Sequence, residues 1–294
     1  MVKMVLQITR YLLIFTFICK GAVMNGQSRN TIDDFKKKID YDSIVKAVDG
    51  NKSIVFQNVH PENWSIISSL GQKPAVDEVT VRESGISREW IYKQNEAMLI
   101  IEMFISATNH KVAMNRLLND ASATTMLVIP FKKCPYNLGD INVSIIDEDF
   151  YRILWTHYNV YYSVKYTGKG LDVEKLCREI QNDSTHFIVN DIEKYRPQFK
   201  EVIISSNQIK KDEMVSIQIL PAYGEAFKDQ KKNSNINLSL TKNWKADLLD
   251  LVDYTDFSFK FRGIAEGTET ITFILADLDA LVCSKHEVTI TVSK

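Results

Sequence analysis

Residues 150–181 constrain the fold of this chain more strongly than any other stretch. Residues 150–156 and 160–166 are rich in aromatic and β-branched side chains, which favours two strands. The second run alternates, with Val160, Tyr162, Val164 and Tyr166 on one face and Tyr161, Ser163 and Lys165 on the other. Asn159 stands between the runs, and Asn tolerates the left-handed backbone of a tight turn. The sequence therefore predicts a β-hairpin.

A helix is predicted directly after this hairpin. Asp172 is a good N-cap, because its carboxylate can accept the free N–H groups of the first helical turn. Leu171 before the cap and Leu176 within the helix fit a hydrophobic staple. The spacing i, i+3, i+4, i+7 then predicts one apolar face that packs on the hairpin, made of Val173, Leu176, Cys177 and Ile180.

The first 26 residues have the order of a secretory signal peptide. Lys3 and Arg10 supply positive charge, residues 11–18 form an apolar run, and small residues follow up to Gly26. An uncleaved anchor and a buried first helix are the alternatives. Cys19 also raises lipoprotein processing, although Ile18 precedes it where such sites carry a small residue.

A chain of 294 residues indicates about two domains. For residues 27–197 we predict an α+β domain, an antiparallel sheet with packed helices. Residues 97–105 are apolar on both faces, which is typical of a central strand. Ser106 and Thr108 are candidate caps for a helix over residues 109–121.

The character of the chain changes after Tyr195-Arg196-Pro197, since Pro disfavours helix in the residue before it. Six short β segments separated by turn signals follow in about 95 residues. Alternation is clear over residues 269–276 and 287–292. We therefore predict an all-β immunoglobulin-like sandwich over residues 198–294.

Two resemblances add to this pattern. Leu138-Gly139-Asp140 precedes the hairpin, Asn159-Val160-Tyr161 opens its second strand, and the helix follows. This order resembles a group of bacterial secreted proteins and lipoproteins, although His157 and Tyr158 stand where that group has an Arg. The resemblance covers residues 91–181 and implies export and an α+β fold, with no shared catalytic residues.

The second resemblance lies at the end of the chain. The phrase FSFKFRGIAEGTETITFILAD, closed by VTITV, has a Phe-alternating strand, a Gly turn, a strand ending in Asp and a final Val/Thr strand. It resembles the end of a bacterial immunoglobulin-like extracellular domain. That resemblance implies a β-sandwich, but the Cys…Trp…Cys pattern of antibody domains is missing.

The composition and the motifs favour binding over catalysis. The net charge of −1 gives no reason to expect a nucleic-acid partner. The five histidines are scattered, and no Cys/His spacing indicates a metal or another cofactor, so we predict neither. A disulfide between Cys134 and Cys177 would be permitted by export. Burial of the cysteines as small apolar residues is the simpler interpretation.

One aromatic cluster is a candidate binding surface. Tyr and Trp are favoured at interfaces, and the hairpin concentrates Trp155, Tyr158, Tyr161 and Tyr162. Ordinary packing is the alternative, because half of these side chains must face the core of a packed hairpin. We place no catalytic residue.

The sequence thus predicts a secreted, periplasmic or cell-surface protein that recognises or scaffolds a protein or cell-envelope ligand without catalysis. Membrane contact is expected only through an N-terminal anchor. A secreted hydrolase with a site assembled from loops is one alternative. A secreted inhibitor or immunity-type protein is another.

Overall fold

The computed structural model describes residues 27–57, 59–123, 129–183, 185–227, 236–241 and 248–294. The predicted signal peptide and Cys19 lie outside these ranges. None of the helices in the described ranges is long and apolar enough to cross a membrane. The fold is mostly β, and the predicted division into an α+β domain and an immunoglobulin-like sandwich stays a prediction.

The α-helices of the described residues are short and lie in the first two thirds of the chain. They are α1 (Gln27–Lys38), α2 (Tyr41–Ala47), α3 (Ser65–Ser69), α4 (His110–Ser122) and α5 (Val173–Gln181). Short 3-10 turns cover Pro61–Asn63, Ile192–Tyr195 and Glu225–Phe227.

The strands fall into two groups along the chain. The first group is β1 (Ser53–Phe56), β2 (Val76–Arg82), β3 (Gly85–Gln94), β4 (Ala97–Ser106), β5 (Lys132–Lys133), β6 (Ile141–Asp147), β7 (Phe150–His157), β8 (Val160–Thr167) and β9 (His186–Val189). The second group is β10 (Gln198–Ile204), β11 (Gln208–Lys210), β12 (Met214–Ala222), β13 (Ile236–Thr241), β14 (Leu249–Thr255), β15 (Ser258–Gly263), β16 (Gly267–Asp277) and β17 (Val282–Ser293).

A seven-stranded antiparallel sheet with the order β2-β3-β4-β8-β7-β6-β5 organises the first group. Its two faces belong to different hydrophobic clusters. Tyr162 and Val164 pack in a cluster that includes residues of α3 and α5. Tyr161 of the same strand packs in a second cluster with residues of α4. The sheet is therefore a central layer between helices.

The predicted hairpin and the helix after it are confirmed. Strands β7 and β8 pair antiparallel with His157 opposite Val160, and Asp172 caps α5 by accepting from the N–H of Lys175 at 3.0 Å. All four residues of the predicted apolar helix face are buried. The turn differs, because Tyr158 (φ 49°) and not Asn159 adopts the left-handed backbone.

The cap of α4 also differs from the prediction. Asn109, not Ser106 or Thr108, occupies the N-cap, and its side chain accepts from Val112 N. Ser106 instead accepts from the backbone N–H groups of Thr108 and Asn109, both at 3.2 Å, and so shapes the turn that leads into the helix.

The Gly139-Asp140 turn positions the hairpin. Gly139 has a φ of 45°, and a Cβ there would lie 2.0 Å from the carbonyl oxygen of Thr156, so only glycine fits. The carboxylate of Asp140 accepts from the N–H of Tyr158 at 2.7 Å. This pair of contacts ties the loop before β6 to the β7–β8 turn.

The second group of strands forms two four-stranded sheets, with the orders β10-β12-β15-β14 and β11-β17-β16-β13. Residues from both sheets, including Ile217, Phe261, Phe273 and Ile290, share one buried cluster. The two sheets therefore pack against each other. The immunoglobulin-like assignment of this pair stays a prediction.

The β16–β17 hairpin contributes to both halves of the chain. Ile274, Ala276, Leu281 and Cys283 are buried in the cluster that contains Trp90 and Tyr162. The hydroxyl of Ser284 donates to the carbonyl of Pro197 at 2.6 Å. The predicted boundary between residues 197 and 198 stays a prediction, because the two halves share buried side chains.

Asn159 fastens β1 to the tip of the β7–β8 hairpin, and this contact generates a prediction. Its side chain accepts from Ile54 N at 2.6 Å and donates to Ile54 O at 3.2 Å, and the residue is buried. Asn159→Ala leaves both backbone groups of Ile54 unpaired. We expect a loss of about 2–4 kcal/mol in the free energy of unfolding, measured by urea denaturation.

The matched control is Asn119→Ala on the exposed face of α4, which should change stability by less than about 0.5 kcal/mol. Equal unfolding midpoints for Asn159→Ala and Asn119→Ala would show that the side-chain pair to Ile54 contributes nothing.

Candidate binding site

The predicted aromatic patch does not lie at the surface. Trp155, Tyr161 and Tyr162 are fully buried, and only Tyr158 is partly exposed. Trp155 and Tyr162 stack on each other with ring centroids 4.8 Å apart. The opposite face of β8 is covered by α4, where the hydroxyl of Tyr161 donates to Asp120. Helices on both faces of the sheet thus bury aromatic side chains that the sequence offered as a binding surface.

The three described cysteines are free and buried. Cys134 and Cys177 belong to the same hydrophobic cluster, and no bond joins them. Burial raises the pKa of each thiol, to about 11 for Cys283. Such thiols are poor nucleophiles. The simpler interpretation of the sequence, burial as small apolar residues, is the arrangement found.

A groove lies over strands β2 and β3, at one edge of the seven-stranded sheet, and we call it the Trp90 groove. It has a volume of about 730 Å³, within the range typical of ligand sites. Its walls are the 3-10 turn after His60, the end of α3 with the loop that follows, and β2 and β3. The lining residues are His60, Pro61, Glu62, Ile67, Ser68, Gly71, Gln72, Lys73, Pro74, Asp77, Arg88, Trp90 and Tyr92.

Strand pleating places the groove residues of β3. Arg88, Trp90 and Tyr92 alternate along the strand and so share one face. Asp77 of β2 is the partner of Trp90 in the strand register, two positions from the Val79–Arg88 pair. This diagonal offset lets the carboxylate of Asp77 reach the guanidinium group of Arg88.

Arg88 is held from three sides. Its Nε and Nη2 donate to the two carboxylate oxygens of Asp77, both at 2.9 Å, and Nη1 donates to Val59 O at 3.2 Å. The guanidinium carbon lies 5.0 Å from the ring centroid of Trp90. A two-pronged ion pair with a cation–π contact fixes both side chains, so the wall of the groove is preorganised.

Trp90 is fixed from its other side by Trp64, whose ring meets it edge-on at 5.8 Å. The indole N–H of Trp64 donates to the buried carboxylate of Asp183 at 2.5 Å. The indole nitrogen of Trp90 is itself buried and has no hydrogen-bond partner among the described residues. A buried donor of this kind costs free energy until an acceptor reaches it.

Tyr92 lies at one end of the groove. Burial, helped by the carboxylates of Glu62 and Asp77 and opposed by Arg88, raises the pKa of its hydroxyl to about 12. The hydroxyl therefore stays neutral at physiological pH and can donate a hydrogen bond.

A smaller cavity of about 120 Å³ adjoins the groove, and we call it the Leu99 chamber. Gln72 and Tyr92 line both cavities. The other lining residues of the chamber are Leu70, Ala97, Met98, Leu99, Tyr166, Lys169, Gly170 and Leu171. The loop at its rim is held by a hydrogen bond of 2.8 Å from the hydroxyl of Tyr166 to Lys169 O.

The groove offers hydrogen-bond donors, acceptors and charges of both signs on a rigid wall. Both oxygens of Asp77 already accept from Arg88, so this carboxylate is committed to an ion pair. No set of three or more His, Cys, Asp or Glu side chains in the described ranges is arranged to hold a metal ion.

Two local alternations in the sequence concern this groove. Arg88, Trp90 and Tyr92 fall on one face of a strand, and Asp77 falls on the face opposite to that of its neighbour Glu78. Their pairing depends on strand register, which the sequence does not display. The Leu99 chamber joins residues from β3, β4, β8 and two loops, and no local pattern links them.

Comparisons with known proteins place the chain in no family. No protein-family model matches it, and no curated protein matches it. Among solved structures, it is similar to domains 4 and 5 of the S-layer protein SbsC, with 15% identity, 49% of this chain and 65% of that chain covered, and a TM-score of 0.23.

Two further solved structures are similar over part of their length. The fibronectin(III)-like modules of Clostridium thermocellum CbhA match at 12% identity, with 52% of this chain and 85% of that chain covered and a TM-score of 0.22. An endo-fucoidan hydrolase of glycoside hydrolase family 107 matches at 11% identity, with 52% and 23% covered and a TM-score of 0.25. Similarity at these TM-scores assigns neither a fold family nor a function.

A set of partly buried titratable groups lies near the hairpin turn and generates a pH prediction. Burial lowers the pKa of His186, the carboxylate of Asp183 raises it and His157 lowers it. The Nδ1 atom of His157 in turn lies 3.7 Å from the Oδ1 atom of Asp140. Because the pKa of His186 is lower in the folded state, the unfolded chain binds its proton first as the pH falls below about 6.5.

We therefore expect the free energy of unfolding to decrease between pH 7 and pH 5.5, and His186→Gln to reduce that decrease. The reduction should stay below about 1.4 kcal/mol per pH unit, the limit for one proton, since the ring is only partly buried. Urea denaturation at several pH values measures it, with exposed His60→Gln as the control. Parallel pH profiles for the wild type and His186→Gln would contradict it.

Proposed function

We propose that this chain is an exported, non-enzymatic recognition protein that binds a component of the cell envelope, or a protein held there, in the Trp90 groove. The observation that carries the proposal is the preorganised wall of the groove, in which Asp77, Arg88 and Trp90 fix one another. A wall that is ordered before the ligand arrives lowers the entropic cost of binding.

The amino-acid sequence supports the proposal that the protein is exported. Residues 1–26 have the charged, apolar and small-residue regions of a secretory signal in the usual order. A protein outside the cytoplasm meets envelope polymers and the proteins attached to them, which is the setting for this ligand class.

The geometry favours binding over hydrolysis. A general acid or base must be free to exchange its proton with a substrate. Asp77 instead has both oxygens engaged by Arg88, and the hydroxyl of Tyr92 keeps its proton because burial raises its pKa to about 12. These groups suit a fixed hydrogen-bonding surface.

The test measures cosedimentation of the protein, recovered from its source cells, with washed envelope fragments of the same cells. Gln72 is exposed and lines the junction of the groove and the chamber, so Gln72→Trp fills that space without disturbing the core. We expect the wild type to cosediment and Gln72→Trp to bind at least tenfold more weakly.

The matched control is Gln208→Trp, an equal change at an exposed position on β11 outside the groove, which should bind as the wild type does. Equal binding of Gln72→Trp and Gln208→Trp, or no binding by the wild type, would refute the groove as the recognition site. Turnover of an envelope polymer by the purified protein would refute the non-enzymatic proposal.

A further inference from the structure

Strand β2 is a long and regular edge strand of the seven-stranded sheet. In the described part of the chain no strand pairs with its outer edge, and its seven residues pair with β3 without a register shift. The opposite edge strand, β5, has only two residues, and both are Lys. Short strands, lysines and bulges are the usual protection of a sheet edge. Strand β2 has none of these, so its outer backbone groups are available to another strand.

The turn between β2 and β3 decides which backbone groups of β2 point outward. The two strands are joined by a two-residue turn after Arg82. The closing pair of such a hairpin exchanges backbone hydrogen bonds, and every second pair along the ladder then does the same. The N–H and C=O groups of Arg82, Thr80 and Glu78 therefore point toward β3. Those of Val79 and Val81 point to the open edge.

The middle of β2, with the sequence Glu-Val-Thr-Val-Arg, is complementary to a reversed copy of itself. In antiparallel pairing centred on Thr80, Glu78 of one copy lies opposite Arg82 of the other. Val79 then lies opposite Val81, and Thr80 lies opposite its own counterpart. Opposite charges, β-branched pairs and Thr–Thr pairs all stabilise antiparallel strands. The alignment also places the outward backbone groups of Val79 opposite those of Val81, as hydrogen bonding between the two copies requires.

The charges on this face of the sheet are not balanced within one chain. Glu78 lies opposite Glu89 of β3, and Glu89 lies opposite Glu102 of β4. Like charges that face each other directly destabilise a sheet. Arg116 donates to Glu102 at 3.0 Å, but the exposed side chains of Glu78 and Arg82 form no hydrogen bond or ion pair within the described ranges. A second copy supplies each of these two side chains with its countercharge.

We propose that this protein forms a two-fold symmetric dimer through strand β2, with residues 78–82 of two copies paired antiparallel about Thr80. The two seven-stranded sheets then join into one continuous sheet. The same patch is used on both copies, so the assembly closes at two chains and does not extend into a filament. The dimer does not depend on the Trp90 groove or on its ligand.

The first experiment is charge reversal, measured by sedimentation velocity of the purified protein over a range of concentrations. We expect the wild type to show a monomer–dimer equilibrium. Glu78→Arg and Arg82→Glu should each weaken dimerisation at least tenfold, because each places like charges opposite each other. The matched control is Glu148→Arg at the exposed β6–β7 turn, which should dimerise as the wild type does.

Two combinations test the register itself. The double variant Glu78→Arg/Arg82→Glu restores opposite charges in both pairs and should dimerise again. An equimolar mixture of the two single variants should form a heterodimer, because one copy then carries only positive and the other only negative charges at these positions. Circular dichroism of each variant confirms folding. Folded variants that are not rescued in either combination would overturn the proposal.

A cross-link tests the symmetry axis without altering any charge. Thr80 and its counterpart form a non-hydrogen-bonded pair, in which Cα atoms lie about 4.5 Å apart, a separation that a disulfide spans. Thr80→Cys should form a covalent dimer in oxidised glutathione, and Gln208→Cys, exposed on β11, should not. A wild type that stays monomeric at every concentration, or equal cross-linking of Thr80→Cys and Gln208→Cys, would refute the β2 dimer and leave the groove function untouched.

Discussion

The burial of strand β8 on both faces is the constraint on which the rest of the structure depends. Tyr162 stacks on Trp155 on one face, while Tyr161 packs against α4 on the other. Each large buried aromatic contributes several kcal/mol of hydrophobic stabilisation, but its polar atom then needs a partner. Asp120 accepts from the hydroxyl of Tyr161 and from Arg152, so α4 is held at a fixed position along the strand.

The location of the groove follows from this layered arrangement. The middle of the sheet is covered on both faces, and β2 is one of its two edge strands. At this edge the short helix α3 covers only part of the face. Trp64 and Ile67 pack inward, while the loop that follows α3 leaves a gap over β3. The guanidinium group of Arg88 lies over the Trp90 ring, and Asp77 holds Arg88 in place.

The parts of the fold that the sequence predicted are those set by local periodicity. The alternation of β8 and the 3.6-residue spacing of α5 each concern residues close in the chain, and both predictions are confirmed. The aromatic patch was misplaced for a physical reason. A strand that is packed on both faces has no solvent-exposed face, so the alternation of side chains along β8 does not identify a binding surface. The sequence predicted Asn159 as the left-handed residue of the turn. The contact that its side chain makes was not predictable from local pattern, because its partner Ile54 lies 105 positions away in the sequence.

The second half of the chain matters to the groove even though no groove residue comes from it. Strand β17 contacts β3, and β16 contacts β2, the two strands that carry Asp77 and Arg88. Ile274 and Leu281 are buried in the same cluster as Trp90. Each such side chain contributes about 1.5–3 kcal/mol on burial, a large share of the roughly 5–15 kcal/mol net stability of a typical protein. The position of the groove wall therefore depends on the packed sheets behind it.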